Sequence, residues 1–498
     1  MEANRTITVI EISSSKIKGA VAETDTRGNI RVLAVERYGC TDCVRHGRVR
    51  NVREVSSAVN EVISRLHNQP ALVGKRIKSA TVSLGGRSVC AVPTSTTMQF
   101  GSEIEVTEAT ISRLKSDAAK DFAGNANIEA TLSKAFWVNN VAVKPAVGTV
   151  GSTLRGEFML VTCAKETRQN LERLKFEALD ASNIDFRLQP LAVADLVLTS
   201  DQKQVGVVLV DFGAETSTVS VYKGGVLIFL ATLPMGSRLI TMDLMTGLHL
   251  TEAAAEDFKI NASAKSADEA DEEINNYIRA RSGEIAANIV HQIELSGLNP
   301  NELGSGIVLT GGGARLPEFA PMLAAQAKME VHKAEIPPYI TFSKKSDDNE
   351  ENIDIVALIA DAATRPECAL RNDLVSVEQD IDIDSEPAEK DADDDFEIAY
   401  AASKNKVKPN RLDDDRLLSD DPDEEEEPRE EVEEEDIVEE EEPEEVKPRK
   451  PAPSRPEQKR GSLFDGIKRG ARELAQRLAK IYDPTEDDDV LRDSDDDE

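Results

Sequence analysis

The sequence predicts an α/β body followed by a disordered acidic linker and a C-terminal amphipathic helix. Three observations carry that reading. β-Branched, strand-like runs alternate with segments of helical period through residues 1–370. Two strand, acid, turn, strand units, TITVIEISSSKIKGAV and VGVVLVDFGAETSTVSVY, recur about 200 residues apart, which suggests a repeated building block. Beyond Arg371 the composition turns to Asp, Glu and Pro, too poor in apolar side chains to offset the entropy of ordering the chain.

The 498 residues suffice for two or three domains, each with its own core. The formal charge of −34 is concentrated in residues 371–498, where 47 acidic face 20 basic side chains. The body is therefore near neutral. It carries neither basic stripes nor interleaved aromatics, so nucleic acid is not an expected partner. Five cysteines are too few and too scattered for a disulfide framework, which favours a reducing compartment. Cys40 and Cys43 form a CxxC, but no second pair or neighbouring histidine completes a metal site, so neither zinc nor redox chemistry is expected of them. The N-terminus enters a strand without an apolar signal core, and no run approaches the length of a membrane span, so the chain is expected to be neither exported nor membrane-spanning.

Thr6 to Ile12 reads as a strand, Ser13 to Ser15 as a turn, and Lys16 to Val21 as the returning strand, with Glu11 near the end of the first. A helix is predicted over Val55 to Leu66, where Val55, Val59, Val62, Ile63 and Leu66 share a face, then a strand over Ser79 to Leu84. Residues 85–160 suggest a small separate unit: strands near Ser88 to Thr96, Phe136 to Val143 and Phe158 to Cys163, and a helix from Glu108 to Phe122 capped by Thr107. Further helices are expected over Glu166 to Leu179 and Leu188 to Leu198. In the second acid-turn unit, Val205 to Val210 reads as a buried strand ending at Asp211, and Thr216 to Tyr222 as its partner. A carboxylate followed by Gly213 and the hydroxyls of Thr216 and Ser217 suits a turn that wraps a phosphate and its magnesium; it equally suits an ordinary hairpin. A third strand over Val226 to Leu233 and helices over Thr241 onward, Thr251 to Ile260 and Tyr277 to Ile293 follow. Ile307 to Thr310 then feeds Gly311, Gly312 and Gly313 and a helix from Ala314 to Leu323, a place where backbone can approach a nucleotide, although glycine turns are common in α/β proteins. A helix over Ile353 to Ala363 closes the body.

After the acidic linker, a basic, proline-spaced stretch leads into SLFDGIKRGARELAQRLAKIY. Leu463, Phe464, Ile467, Leu474, Leu478 and Ile481 fall on one helical face, with lysines and arginines beside or opposite it. A helix lying in the plane of an anionic membrane surface fits this pattern, each nearby cation adding roughly 1 kcal/mol. Docking on a partner, or back on the body, is the alternative.

Taken in order, these pieces resemble the actin/Hsp70/sugar-kinase ATPase fold, and among its members the FtsA family of actin-like division proteins. VIEISSSKIKGAV is similar to the family's first phosphate loop, LQPLAVADLVL to its connecting helix, VDFGAETSTVSVY to its second phosphate loop, GIVLTGGGARLPEF to its adenosine loop and SLFDGIKRGARELAQRL to its membrane-targeting helix. The resemblance implies a two-lobed body: subdomain 1A at residues 1–84 and 163–203, with a return at 346–370; 1C inserted at 85–162; 2A at 204–245 and 304–345; 2B at 246–303. A linker at 371–461, the targeting helix at 462–482 and an acidic tip at 483–498 complete the chain.

The resemblance also implies ATP and Mg2+, with Glu11 and Asp211 holding the metal through water. Ser13, Ser14, Ser15 and Lys16, with Gly213 and Thr216, would face the phosphates; Glu256 and Lys259 would flank the adenosine beside Gly311, Gly312 and Gly313. Gln189 matches the position that orients an attacking water, and Arg281 with Glu284 matches a patch that binds the tail of FtsZ, the tubulin-like division GTPase. Self-association into filaments, other division proteins, and a peripheral place on the cytoplasmic face of the bacterial inner membrane at the division site complete the implied role. Ser13, Ala214 and Glu215 stand where the family's loops have glycines, and Ala357 where its last helix often does; Glu215 is expected either to repel the γ-phosphate or to be turned outward. At most slow ATP hydrolysis follows. The rival reading is an active ATPase of the Hsp70 or sugar-kinase type.

Overall fold

β1 (Arg5–Ile12) and β2 (Lys16–Thr24) pair antiparallel, in a register running from Arg5 opposite Thr24 to Ile12 opposite Ile17. The computed structural model describes residues 5–376 except 41, 123, 177–182, 263–271, 348–349 and 365–372. The linker expected from residue 371 starts later than predicted, since Leu374–Ser376 form a strand paired with Lys75–Ile77 and Asp373 is buried, accepting from the Thr8 amide; residues 377–461, the predicted terminal helix with its apolar face, and the acidic tip lie outside the described residues.

β3 (Ile30–Gly39) extends the hairpin by antiparallel pairing with β2. Two short strands follow, β4 (Val44–Arg45) and β5 (Arg48–Val49), joined by a turn in which His46 and Gly47 both take positive φ. α1 (Val52–His67) starts at Asn51, whose side chain accepts from the Glu54 amide, and buries Val55, Val59, Val62 and Leu66 as its period predicts. That face packs on β2 at Gly19. β6 (Lys75–Ile77) and β7 (Ala80–Leu84) follow, β7 lying parallel to β1.

β8 (Cys90–Glu105), α2 (Glu108–Lys120), β9 (Ala126–Val138), β10 (Val141–Val143) and β11 (Val150–Ala164) form the inserted unit. Thr107 caps α2 as expected, and the unit has its own core in Val106, Ile111, Leu114, Leu154 and Phe158. β8 continues well past the expected Thr96 because β11 pairs with it from Cys90 to Glu105. α3 (Lys165–Glu172) is shorter than the predicted 166–179: the Lys175 amide donates to Ser56 Oγ of α1 instead of to a helical carbonyl, while Leu174 and Phe176 are buried.

β12 (Ile184–Leu188) lies parallel to β7 and leads into α4 (Gln189–Val197) and α5 (Ser200–Val205). The strand expected from Val205 begins two residues later, because Thr199 caps a helical turn that carries Val205 to an exposed position. β13 (Val207–Phe212), β14 (Ser217–Lys223) and β15 (Val226–Leu233) then form an antiparallel meander. α6 (Arg238–Leu248), α7 (Glu252–Ala262) and α8 (Glu272–Leu295) follow, then β16 (Ile307–Thr310), parallel to β13. The glycine run does not open an α-helix, contrary to the sequence expectation. Gly312–Arg315 is a 3-10 turn, Leu316 before Pro317 is extended, as the proline ring demands, and α9 (Phe319–Ala327) begins only beyond it. β17 (Val331–Lys333), β18 (Ile340–Phe342), α10 (Ile353–Thr364) and β19 (Leu374–Ser376) complete the described chain.

The first sheet runs β12-β7-β1-β2-β3-β18, and the second ends in β15-β14-β13-β16-β17. Five strands of each sheet correspond, with a hairpin at the centre, a third antiparallel strand on one side and two parallel strands on the other. The repeat read from the two acid-turn units is thus a repeat of whole sheets. The insertion joins the second sheet where Ala231 of β15 meets Cys90 of β8. α4 and α10 pack on each other within the larger core, which also takes in Leu209 and Tyr222; the opposite face of the second sheet buries Val208, Val210 and Phe212 against α6, α8 and α9. Phe212 stacks on Phe319 with ring centroids 4.2 Å apart.

A Cβ on Gly19 would come within 2.5 Å of Val62 Cγ1 and 3.0 Å of Leu66 Cδ1. Gly19→Val is expected to destabilise the body by roughly 1–3 kcal/mol through overpacking, read as a lowered urea midpoint, whereas Val73→Ala, at an exposed position, should leave the midpoint within about 0.5 kcal/mol of its starting value.

Candidate functional site

The two hairpin turns close in the same way. Ser13 N donates to Lys16 O at 3.3 Å, and Gly213 N donates to Thr216 O at 2.8 Å, so each turn is tied across the same three-residue step. In the first, Ser13 Oγ also donates to Lys16 O at 2.7 Å. The serine that replaces a glycine therefore spends its hydroxyl on closing the turn. The turns face one cavity of about 530 Å3, within the range of small-molecule sites.

That cavity collects most of the residues singled out in the sequence. Glu11, Ser13, Ser14, Ser15 and Lys16 line it from the first hairpin; Asp211, Gly213 and Thr216 from the second. Gln189 enters from the start of α4, Glu256 and Lys259 from α7, and Gly311, Gly312 and Gly313 from the turn after β16. Gly311 has φ +92°, and a Cβ there would lie 2.6 Å from Asp211 Oδ1, so the glycine is what lets this turn pass beside the acid.

Three carboxylates lining the cavity, Glu11, Asp211 and Asp354, act electrostatically on one buried ammonium, that of Lys18, which lies opposite Glu11 in the β1–β2 register. Lys18 Nζ donates to Glu11 Oε2 at 2.9 Å and to the Glu351 carbonyl at 2.7 Å. Burial acts to lower the Lys18 pKa, but Glu11 and Asp354 outweigh it and hold the ammonium above its usual value. Burial raises Glu11 against the pull of Lys18. Asp211 is pushed well above the ordinary carboxylate range, by burial first and then by the charges of Asp354 and Glu11. Asp354 Oδ1 and Gln189 Oε1 are buried without a hydrogen-bond partner, while Gln189 Nε2 donates to the Asp354 carbonyl at 3.0 Å.

This donor set fits a hydrated divalent cation. Among the described residues no three His, Cys, Asp or Glu groups converge to wrap a bare ion. Mg2+ keeps most of its waters and takes one or two carboxylates plus phosphate oxygens, which is what Glu11 and Asp211 offer. Toward the other side of the cavity, Lys259 donates to Glu256 Oε2 at 2.7 Å and to Thr241 Oγ1 at 3.0 Å; burial lowers its pKa against that carboxylate.

Of the two outcomes expected for Glu215, an outward turn is not found: the residue is buried and lines the cavity, with its charge paired. Its carboxylate is 4% exposed and takes Arg238 Nη1 at 2.9 Å, Arg45 Nη1 at 3.2 Å and the His46 amide at 2.6 Å. Arg45 and His46 belong to the first sheet's side of the cavity, so Glu215 fastens the strap of residues 42–47 across it. On the near side Gly47 N donates to Ser14 Oγ at 2.9 Å. The CxxC, not expected to carry redox chemistry, is closed as a disulfide between Cys40 and Cys43, whose Cα atoms are 6.0 Å apart, a separation a disulfide accommodates.

Arg281 and Glu284 lie outside the cavity, on α8. Arg281 donates from Nε and Nη2 to Asp243 of α6 at 2.6 and 2.8 Å, and from Nη1 to Glu284 at 2.6 Å. Hydrogen bonding to Asp243 holds the guanidinium above its usual pKa. Sequence reasoning missed Lys18, Asp354 and the strap. Lys18 could have been found from the hairpin register, since it mirrors Glu11 across the turn; Asp354 had no local signal, because α10 returns to the site from far along the chain.

Asp211 sets a testable trade. Its raised folded-state pKa means the fold favours the protonated form, so the stability it contributes is present below the ordinary value of 3.8 and is lost as pH rises through the raised one. Asp211→Asn should therefore stabilise the metal-free, nucleotide-free chain at neutral pH by roughly 1–3 kcal/mol, the cost of an uncompensated buried charge. The gain should fade toward pH 4, as followed by thermal unfolding with EDTA.

A sequence model of the family described as Cell division protein FtsA matches residues 208–352. The cell division protein FtsA of Porphyromonas gingivalis is 30% identical over 391 residues, covering 73% of this chain and 79% of that protein. The same protein of Bacillus subtilis is 25% identical over 340 residues, 64% of this chain and 76% of the relative. Among solved structures, the PilM–PilN type IV pilus biogenesis complex superposes with a TM-score of 0.51 at 14% identity, covering 72% of this chain and 99% of that one. The architecture is the actin-like ATPase fold. With duplicated sheets meeting at one cavity and a relative of this identity spanning most of both chains, this chain belongs to the FtsA family of cell division proteins.

Proposed function

We propose that this chain is an ATP-binding division adaptor: the body holds ATP with Mg2+ between its two sheets, assembles into filaments, and ties FtsZ filaments to the cytoplasmic face of the inner membrane through the helix predicted at residues 462–482. The observation that carries the reading is the single cavity on which both hairpin turns, the glycine turn and the deep acid cluster converge. Its chemistry suits a polyanion that brings its own divalent cation. Glu11 and Asp211 hold the hydrated metal, Lys16 and Lys18 offset phosphate charge, and Gly311 to Gly313 leave room for the nucleoside beside Glu256 and Lys259. Mg2+, when bound, neutralises the carboxylates and the phosphates together.

The buried, unpartnered Oε1 of Gln189 supports reading it as the residue that orients a water, while its amide nitrogen is committed to the Asp354 carbonyl. A residue held on one side supports slow turnover, and nucleotide state, not catalytic output, is the property this fold supplies. The insertion's separate core and the packing of α6 to α8 on one sheet support the subdomain division that the family resemblance implies. No helix of the described residues is long and apolar enough to cross a membrane, so the tether rests on the predicted terminal helix.

Co-sedimentation with vesicles of anionic lipid, with and without ATP and Mg2+, tests nucleotide, assembly and membrane in one format. The full chain is expected to sediment with the vesicles and a chain lacking residues 462–482 to remain in solution; equal sedimentation of both removes the tether. For the partner, Arg281→Ala and Glu284→Ala are each expected to weaken binding of an FtsZ C-terminal peptide at least about tenfold, the loss a charge-assisted contact supports. Unchanged affinity in both variants places the partner surface elsewhere.

A further inference from the structure

Cys40 and Cys43 stand at the root of the strap, and the nucleotide reading gives them no task. The Cys40 amide donates to the Ser15 carbonyl of the first turn at 3.4 Å. The Cys43 carbonyl accepts from the Arg50 and Asn51 amides at 2.8 and 3.2 Å, and β4 begins one residue later. The disulfide therefore links the first turn directly to the segment that reaches across the cavity. Beyond it the strap meets the second sheet's side through polar ties: Arg45, the His46 amide and the His46 ring on Glu215, and Asp42 on Arg238 at 3.4 Å. At Gly47 the strap's backbone lies directly against Gly86, whose added Cβ would fall 2.6 Å from the Gly47 carbonyl oxygen. Packing at that crossing is backbone on backbone. Val44 anchors the base of the strap in the larger core, and residues 45–47 beyond it are held by polar ties, among them the Arg87 amide donating to the His46 carbonyl at 2.9 Å.

We propose that Cys40 and Cys43 form a thiol–disulfide modification site that sets how firmly the strap closes the cavity; the consequence for ligand exchange rests on the nucleotide reading above. Cys40 is 7% exposed and Cys43 1%, so an incoming thiolate attacks Cys40 Sγ. The S–S bond breaks, Cys43 leaves as a thiolate and takes a proton, and Cys40 holds a mixed disulfide. A second small thiol attacks the external sulfur of that bond, releasing Cys40 as a thiolate that is protonated and a small-molecule disulfide that carries the two-electron oxidation. A small-molecule disulfide runs the same steps in reverse. In the dithiol state the strap loses the cross-link at its base, and Asp42, held at φ +64°, is free to relax. The ties to Glu215 and Ser14, with Val44 in the core, then hold the strap against a larger loop entropy.

The test uses the full chain in two forms, oxidised with glutathione disulfide and reduced with a phosphine, the Cys40–Cys43 bond in the first verified by peptide mass mapping. Hydrogen exchange in the peptide containing His46 and Gly47 is the primary readout, since both amides are hydrogen-bonded to the strap's two anchors. Reduction is expected to speed their exchange about tenfold through local opening, and to speed dissociation of a fluorescent ATP analogue in parallel. A Cys40→Ser/Cys43→Ser variant is expected to match the reduced form whether or not reductant is present. Equal exchange in the two mass-verified forms overturns the proposal, and so does failure of glutathione disulfide to form the bond at any thiol ratio. These comparisons of the wild-type chain stand even if the double variant does not fold. If exchange differs but the ATP analogue binds neither form, the nucleotide reading fails and the redox-controlled strap stands.

Discussion

Three carboxylates brought beside one ammonium are the constraint on which the rest of this structure depends. Glu11 is the penultimate residue of one central hairpin strand, Asp211 that of the matching strand of the other sheet, and Asp354 comes from α10, so the cluster exists only when both sheets and the returning helix are assembled. Two unit charges about 4 Å apart at an effective dielectric of 20 interact by about 4 kcal/mol, too much for one lysine to offset for all three acids. The protein responds by holding Asp211 toward its protonated form. A divalent cation would remove that penalty, and in the proposed function a nucleotide brings one. The fold is thus arranged around a charge imbalance that the proposed ligand would correct.

The surrounding scaffold keeps that imbalance in place. β1 and β13 are buried on both faces, as their β-branched runs imply, and their ends cannot shift without exposing apolar area worth about 1.5–3 kcal/mol per large side chain. Gly311 is required beside Asp211 because a side chain would strike the carboxylate. The two turns are pinned by the same hydrogen-bond step, and the second is further held from below, where Ser237 N donates to Gly213 O at 3.0 Å and Arg238 N to Ala214 O at 2.7 Å. Rigidity here comes from the backbone, which is why the turns tolerate unusual side chains.

The two acid-turn hairpins, the glycine turn and the order of the elements were legible in the sequence, because each has a local signature: period, an acid at a strand end, a run of glycines. What could not be read locally is where long-range pairing or a single proline decided the outcome. α3 stops early because Ser56, more than a hundred residues upstream, captures the Lys175 amide. The helix expected at Ala314 waits for Phe319 because Pro317 forces Leu316 out of the helical region. Asp354 joins the site only through the packing of α10 on α4 and β1. The terminal helix lies outside the described residues, and its assignment rests on the spacing of Leu463, Phe464, Ile467, Leu474, Leu478 and Ile481 and on the resemblance.

The residues that depart from the family's glycines turn out to share one logic. Glycine at a phosphate turn gives room and freedom; a side chain there must be given a partner that takes up its polar group. Ser13 finds one within its own turn, at the Lys16 carbonyl. Glu215 has none within reach of its own hairpin, so it takes Arg238 from the following helix and Arg45 with the His46 amide from the opposite side of the cavity. A carboxylate that is 4% exposed and shared by two guanidiniums cannot be left unpaired without a cost of several kcal/mol. Replacing glycine by glutamate at this turn therefore commits the protein to keeping the strap in contact whenever the cavity is closed, and opening the cavity means breaking those pairs. The substitution that looked like an obstacle to phosphate is better understood as the far anchor of a closure whose near end is the first turn.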